Sequence, residues 1–78
     1  MTNSKNRPVV GKKYRHFKGN EYIVLHIAYD EDDHEVVVYT TPTHGTIYTR
    51  KMSSGSASWL EIVSTIDGAM VDRFTFIE

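Results

Sequence analysis

Glu21-Tyr22-Ile23-Val24-Leu25-His26-Ile27-Ala28-Tyr29 is the stretch whose reading decides the fold. Its β-branched and aromatic side chains favour extended backbone. Strand alternation sends Tyr22, Val24, His26 and Ala28 one way and Ile23, Leu25, Ile27 and Tyr29 the other. Both faces are then apolar. Such a strand is either central and covered on both sides, or has an outer face that meets another subunit. Downstream, Asp30-Glu31-Asp32-Asp33 brings four mutually repelling carboxylates together, which suits a solvated hairpin tip. His34 to Thr41, centred on Val36-Val37-Val38-Tyr39, supplies the partner strand. Pro42-Thr43-His44-Gly45 makes the next turn, and Thr46 to Arg50 closes a second hairpin.

Upstream, Gly11 to Phe17 reads as a short opening strand that turns at Lys18-Gly19-Asn20, where Gly and Asn tolerate positive φ. Residues 53–58, Ser-Ser-Gly-Ser-Ala-Ser, read as a flexible loop. Ser58 is placed to cap a helical turn through Trp59-Leu60-Glu61-Ile62-Val63. Asp67-Gly68 signals a tight turn before a last strand from Met70 to Ile77. The expectation is a mainly β protein: a small SH3-like five-stranded barrel with one short helical turn. Residues 1–10 are expected to form a flexible N-terminal arm and residues 11–78 a single domain.

Seventy-eight residues allow one domain, near the lower edge of what folds without a staple. There is no cysteine, so neither a disulfide nor a thiolate metal site can form. The polar opening lacks a signal-peptide pattern, and no apolar run approaches the roughly 20 residues of a membrane helix. The expected location is therefore the cytoplasm. Net charge is −1 but unevenly spread. Residues 1–28 carry six cationic side chains against Glu21, while residues 29–78 carry three against nine carboxylates. A dipolar chain of this kind lacks the positive excess of a general nucleic-acid binder. It leaves room for a small anion on a local basic patch.

The segment Gly11-Lys12-Lys13-Tyr14-Arg15-His16-Phe17-Lys18-Gly19-Asn20-Glu21-Tyr22 resembles the opening of a small bacterial and phage family known as domain of unknown function 1653. Val24 to Ala28 is similar to its second strand and Val37-Val38-Tyr39 to its third. Tyr48-Thr49-Arg50 stands where that family has Trp-Val-Arg. Asp67-Gly68 with Val71-Asp72-Arg73-Phe74 is similar to its closing motif. The resemblance runs from Gly11 to Ile77 and implies a compact β-barrel of prokaryotic or phage origin, without implying an activity. Lys51 departs from the family's proline after the arginine. The Ser-rich run to Ser58 departs from its Met-Phe pair, which points to a different selectivity if that loop meets a ligand.

Three groups of side chains are candidates for function. His16, with Arg15 and Lys18 beside a turn, can bind an anion through side-chain and backbone donors, or can be a satisfied structural histidine. Arg50 and Arg73 can each grip a phosphate or carboxylate bidentately, or can pair within the chain. Tyr14, Tyr22, Tyr39, Tyr48 and Trp59 can stack on a base or fill the core, with Tyr48 and Trp59 the better stacking candidates. His26, His34 and His44 with the acidic tip match no zinc spacing, so no metal is expected. No cofactor is expected either. The chain carries no nucleophile elbow and no phosphate-binding glycine loop, so it is expected not to be an enzyme.

The reading that follows is a non-catalytic module for a small anionic, nucleotide-type ligand. His16, Lys18, Tyr48, Arg50, Trp59 and Arg73 would form its site, at a barrel mouth or between subunits of a homo-oligomer. In a phage or bacterium such a module could sequester a signal. The alternative is an SH3-like protein-interaction module. Weak nucleic-acid binding ranks third, and no membrane association is expected.

Overall fold

The computed structural model describes residues 7–43 and 45–78. The first six residues of the expected arm and His44 lie outside the described residues. The chain is built from strands: β1 (Lys13–His16), β2 (Glu21–Tyr29), β3 (Glu35–Thr40), β4 (Ile47–Lys51), β5 (Ile62–Ser64), β6 (Met70–Asp72) and β7 (Phe74–Phe76). Five of them form an antiparallel sheet in the order β4-β3-β2-β1-β7, and β5 and β6 form a second, two-stranded sheet.

This corrects the barrel expectation. The larger sheet is open, with β4 and β7 at its edges, and among the described residues no closed barrel is found. The expected strand from Met70 to Ile77 is two strands in different sheets, divided at Arg73. The backbone N–H of Arg73 donates to Glu61 O at 3.2 Å, and its carbonyl accepts from Phe17 N at 2.8 Å. That single residue therefore ties the small sheet to the end of β1.

The expected helical turn at 59–63 is absent. Trp59 N donates to Lys51 O at 2.8 Å, and Leu60 N to Met52 O at 2.9 Å. The first amides of a helix need no partner within it, so these bonds alone leave a helix open. What excludes it is the pairing of Ile62 with Asp72 and Val63 with Val71, so the chain makes one turn at Ser58–Glu61 and enters β5. The Asp67-Gly68 signal does form a turn. Thr65 N bonds Ala69 O at 2.8 Å, and Gly68 takes a φ of 89°, where an L side chain is disfavoured.

The two-faced apolar pattern of β2 has a local cause. Val24 pairs with Tyr39, but the next partner, Val38, faces His26, which leaves Leu25 as an extra residue. A bulge of one residue inverts the parity of everything after it. Tyr22 and Val24 before the bulge and Ile27 after it thus share the inner face. The outer face carries Ile23, exposed His26 and Ala28.

Inner-face side chains build the core: Tyr14, Val24, Val37, Tyr39 and Phe74, closed by Met52 and Trp59 from the β4–β5 connection. Ile47 and Phe76 are about half exposed, at 58% and 46%. Residues 7–10 are tied to this core. The Tyr14 hydroxyl accepts from Val9 N at 2.9 Å and reaches Arg7 O at 3.3 Å, Pro8 is buried, and Arg7 pairs with Glu35 at 2.5 Å.

Candidate anion-binding site

The ring of Phe74 is the floor of the site. It is buried because β7 sends it inward, where Trp59 stacks on it. His16, its cross-strand partner, meets it edge to face with centroids 5.0 Å apart. Arg50 comes from β4 on the same inner face, as its pairing with buried Val37 requires. The Arg50 guanidinium carbon lies 5.2 Å from the Phe74 centroid, within cation–π range. Phe17 extends the platform, 4.7 Å from the His16 ring. Lys18 Nζ and the Arg73 guanidinium each lie 5.9 Å from its centroid.

Four of the residues singled out in the sequence, His16, Lys18, Arg50 and Arg73, are thus gathered around two phenylalanines. Their proximity has an electrostatic consequence. The proton affinity of His16 is lowered first by burial, then by the positive fields of Arg50, Arg73 and Lys18. His16 Nδ1 accepts the Lys18 backbone N–H at 3.2 Å. The neutral ring therefore carries its proton on Nε2 and presents a donor there.

The arginines are held in place. Arg50 Nε donates to the Tyr39 hydroxyl at 3.1 Å and Nη1 to Ala57 O at 2.6 Å. Arg73 Nη2 donates to Glu61 Oε1 at 2.8 Å, while Arg73 Nε is buried without a hydrogen-bond partner among the described residues. Glu61 Oε1 also accepts Ala57 N at 2.7 Å. The bond from Arg73, then that from Ala57, holds the Glu61 carboxyl below its ordinary value. Sequence reading missed Phe17, Ala57 and Glu61. Their connection to the arginines is long-range and no local motif announces it.

The aromatic candidates divide. Tyr48 is 40% exposed and stacks on Tyr39, with centroids 5.6 Å apart. It meets Tyr22 edge to face at 6.1 Å. Tyr22 and Tyr48 line a cleft of about 590 Å³ between Gly19-Asn20 and Thr41-Pro42-Thr43. Trp59 is only 1% exposed and has no face free for a base, so it belongs to the core and not to a ligand platform. Tyr14 is buried with it.

Arg15 points elsewhere and pairs with Glu21 at 3.0 Å. Of the histidines weighed as metal ligands, His26 is exposed on the opposite sheet face. His34 comes within 4.8 Å of Asp30 and Asp32. Turn geometry accounts for that trio, because Asp30 Oδ1 accepts the amides of Asp32 at 2.8 Å and His34 at 3.0 Å.

Residues 12–76 match the model of a family described as "Protein of unknown function (DUF1653)". A crystal structure of a protein of that family from Bordetella bronchiseptica is similar at 30% identity and a TM-score of 0.70, covering 92% of this chain and 91% of that one. None of the curated proteins matches.

Proposed function

We propose, from the premise that the chain belongs to the DUF1653 family of proteins of unknown function, that it is a non-catalytic module for a small anionic ligand of nucleotide type. One observation carries this reading: His16, Lys18, Arg50 and Arg73 converge on Phe17 and Phe74, where the proton affinity of His16 is lowered first by burial and then by the three positive fields. Gathering like charges costs free energy, and an anion would offset that cost. The phosphate would meet Arg50, Arg73 and the Nε2–H of His16. The planar group would enter the neighbouring cleft against Tyr48 and Tyr22, whose volume suits a molecule of mononucleotide size. Capture of a signalling nucleotide in a bacterium or phage is the biological role such a module would serve, in the cytoplasm and with no membrane involved.

Thermal denaturation against a panel of nucleotides, cyclic nucleotides, ADP-ribose derivatives and inorganic phosphates tests it. A ligand at about 100 times its dissociation constant stabilises the native state by about 2.7 kcal/mol, a shift of several degrees in a domain of this size. Arg50→Ala and Arg73→Ala should each abolish that shift. Retention of the full shift in both variants removes the mechanism.

A second reading has its own support. The cleft carries exposed Tyr48 beside Pro42, and β4 is a sheet edge, features that an SH3-like peptide-binding module would use. It predicts a partner whose capture depends on Tyr48 and survives loss of either arginine. Weak nucleic-acid binding, the third option, requires an affinity that falls steeply with salt.

A further inference from the structure

We propose that residues 53–57 form a lid latched across the anion site by Glu61, and that the incoming anion opens it by taking over the acceptor positions of Glu61 and Ala57. This rests on the anion-binding reading and adds its regulation. The loop is mostly exposed and runs between two buried ends, Met52 and Ser58. It is pinned at one residue from two sides: Ala57 O accepts from Arg50, and Ala57 N donates to the same Glu61 oxygen that holds Arg73. The two arginines that would grip a ligand are therefore already bridged, through Ala57 and Glu61, by acceptors from the chain itself.

The latch is incomplete. Arg73 offers its Nε–Nη2 edge, the geometry that binds two oxygens at once. Glu61 satisfies only Nη2, and Nε stays buried and unpartnered among the described residues. A phosphate with two oxygens on that edge would satisfy both. The pair is also unequal in its exposure: the Arg73 side chain is 15% accessible and that of Glu61 39%. Glu61 can return to water, whereas Arg73 is fixed in place.

The loop is held under strain as well. Ala57 sits at φ 61°, a left-handed conformation unfavourable for alanine, and Ser54 Oγ is buried without a partner among the described residues. Release relaxes the first and hydrates the second. By linkage, weakening the latch must strengthen anion binding.

Pyrophosphate serves as the probe. Calorimetric titration should show the isosteric variant Glu61→Gln binding it about tenfold more tightly than the unsubstituted protein. In the unsubstituted protein, amide hydrogen exchange at Ala57 should accelerate as pyrophosphate saturates, a change that simple removal of a negative charge would not produce. If the unsubstituted protein binds pyrophosphate but Glu61→Gln binds no tighter, or exchange at Ala57 stays constant or slows, the lid is overturned and the anion site stands. If neither protein binds pyrophosphate, the anion site falls and the lid with it.

Discussion

The indole of Trp59 lies parallel to the ring of Phe74, with centroids 3.7 Å apart and planes 4° from coplanar. Both are 1% exposed, and Trp59 also meets Tyr14 and Tyr39 edge on. One residue from an otherwise Ser-rich connection thus caps the inner face of the sheet. Trp59→Ala should cost about 3–5 kcal/mol, because burial is lost and a large cavity is left. Trp59→Phe should cost no more than about 2 kcal/mol. It keeps an aromatic face on Phe74 and removes an indole N–H that is buried without a partner among the described residues. Urea unfolding of the three proteins checks the order, and equal costs for the two variants would count against the stacking account.

The bulge at Leu25 makes a prediction about chain length. Because Leu25 is the extra residue between the Val24–Tyr39 and His26–Val38 pairs, its deletion leaves Val24 and Ile27 facing inward. That variant should still fold, losing only the bend and added twist that a bulge supplies. Deleting Ile27 instead sends the following residues to the wrong face and should abolish the cooperative transition. Circular dichroism melts of the two deletions distinguish these outcomes.

These features show which parts of the molecule were legible in the sequence. The strand-rich character, the acidic tip and the Asp67-Gly68 turn follow from local composition, and all three are present. The bulge was not legible, since strict alternation puts Val24 and Ile27 on opposite faces when they share one. Trp59 was misread for a related reason. A tryptophan after a run of serines resembles a helix start, but its ring is taken by Phe74 and the residues after it, Ile62 and Val63, pair with Asp72 and Val71, contacts set by the tertiary fold. The split at Arg73 arises the same way, from bonds to Glu61 and Phe17. At the candidate site, the ordered motifs singled out Arg50, Arg73, His16 and Lys18, which the fold brings close together. Nothing local identified Glu61, which meets them across the fold.

The lowered proton affinity of His16 sets a direction for stability against pH. Its folded value lies below the unfolded value, so at intermediate pH the unfolded chain binds the proton more readily than the native one. Its contribution is fully present above the unfolded value near pH 6.5 and is lost as pH falls toward the folded value. The native protein should therefore lose stability as pH falls below about 6.5. In His16→Gln, where position 16 no longer titrates, that loss should be smaller. Unfolding midpoints at a series of pH values give the two slopes, and parallel slopes would contradict the electrostatic description of the site.

Ala57 provides the last test, one that needs no ligand. A left-handed alanine costs about 1–2 kcal/mol relative to the ordinary conformations, and glycine adopts φ near 61° without that penalty. Against this, glycine gives the unfolded chain more freedom, worth about 0.5–1 kcal/mol. The balance for Ala57→Gly is stabilisation by up to about 1.5 kcal/mol. The backbone N–H and carbonyl that bond Glu61 and Arg50 are retained, so the latch is unchanged in kind. Ala57→Val, with a branched side chain at the same φ, should be destabilising by more than the alanine penalty. Chemical denaturation of the set separates a strained residue from an ordinary loop position: an ordinary position would tolerate valine and lose a little stability with glycine, the reverse of the order expected here.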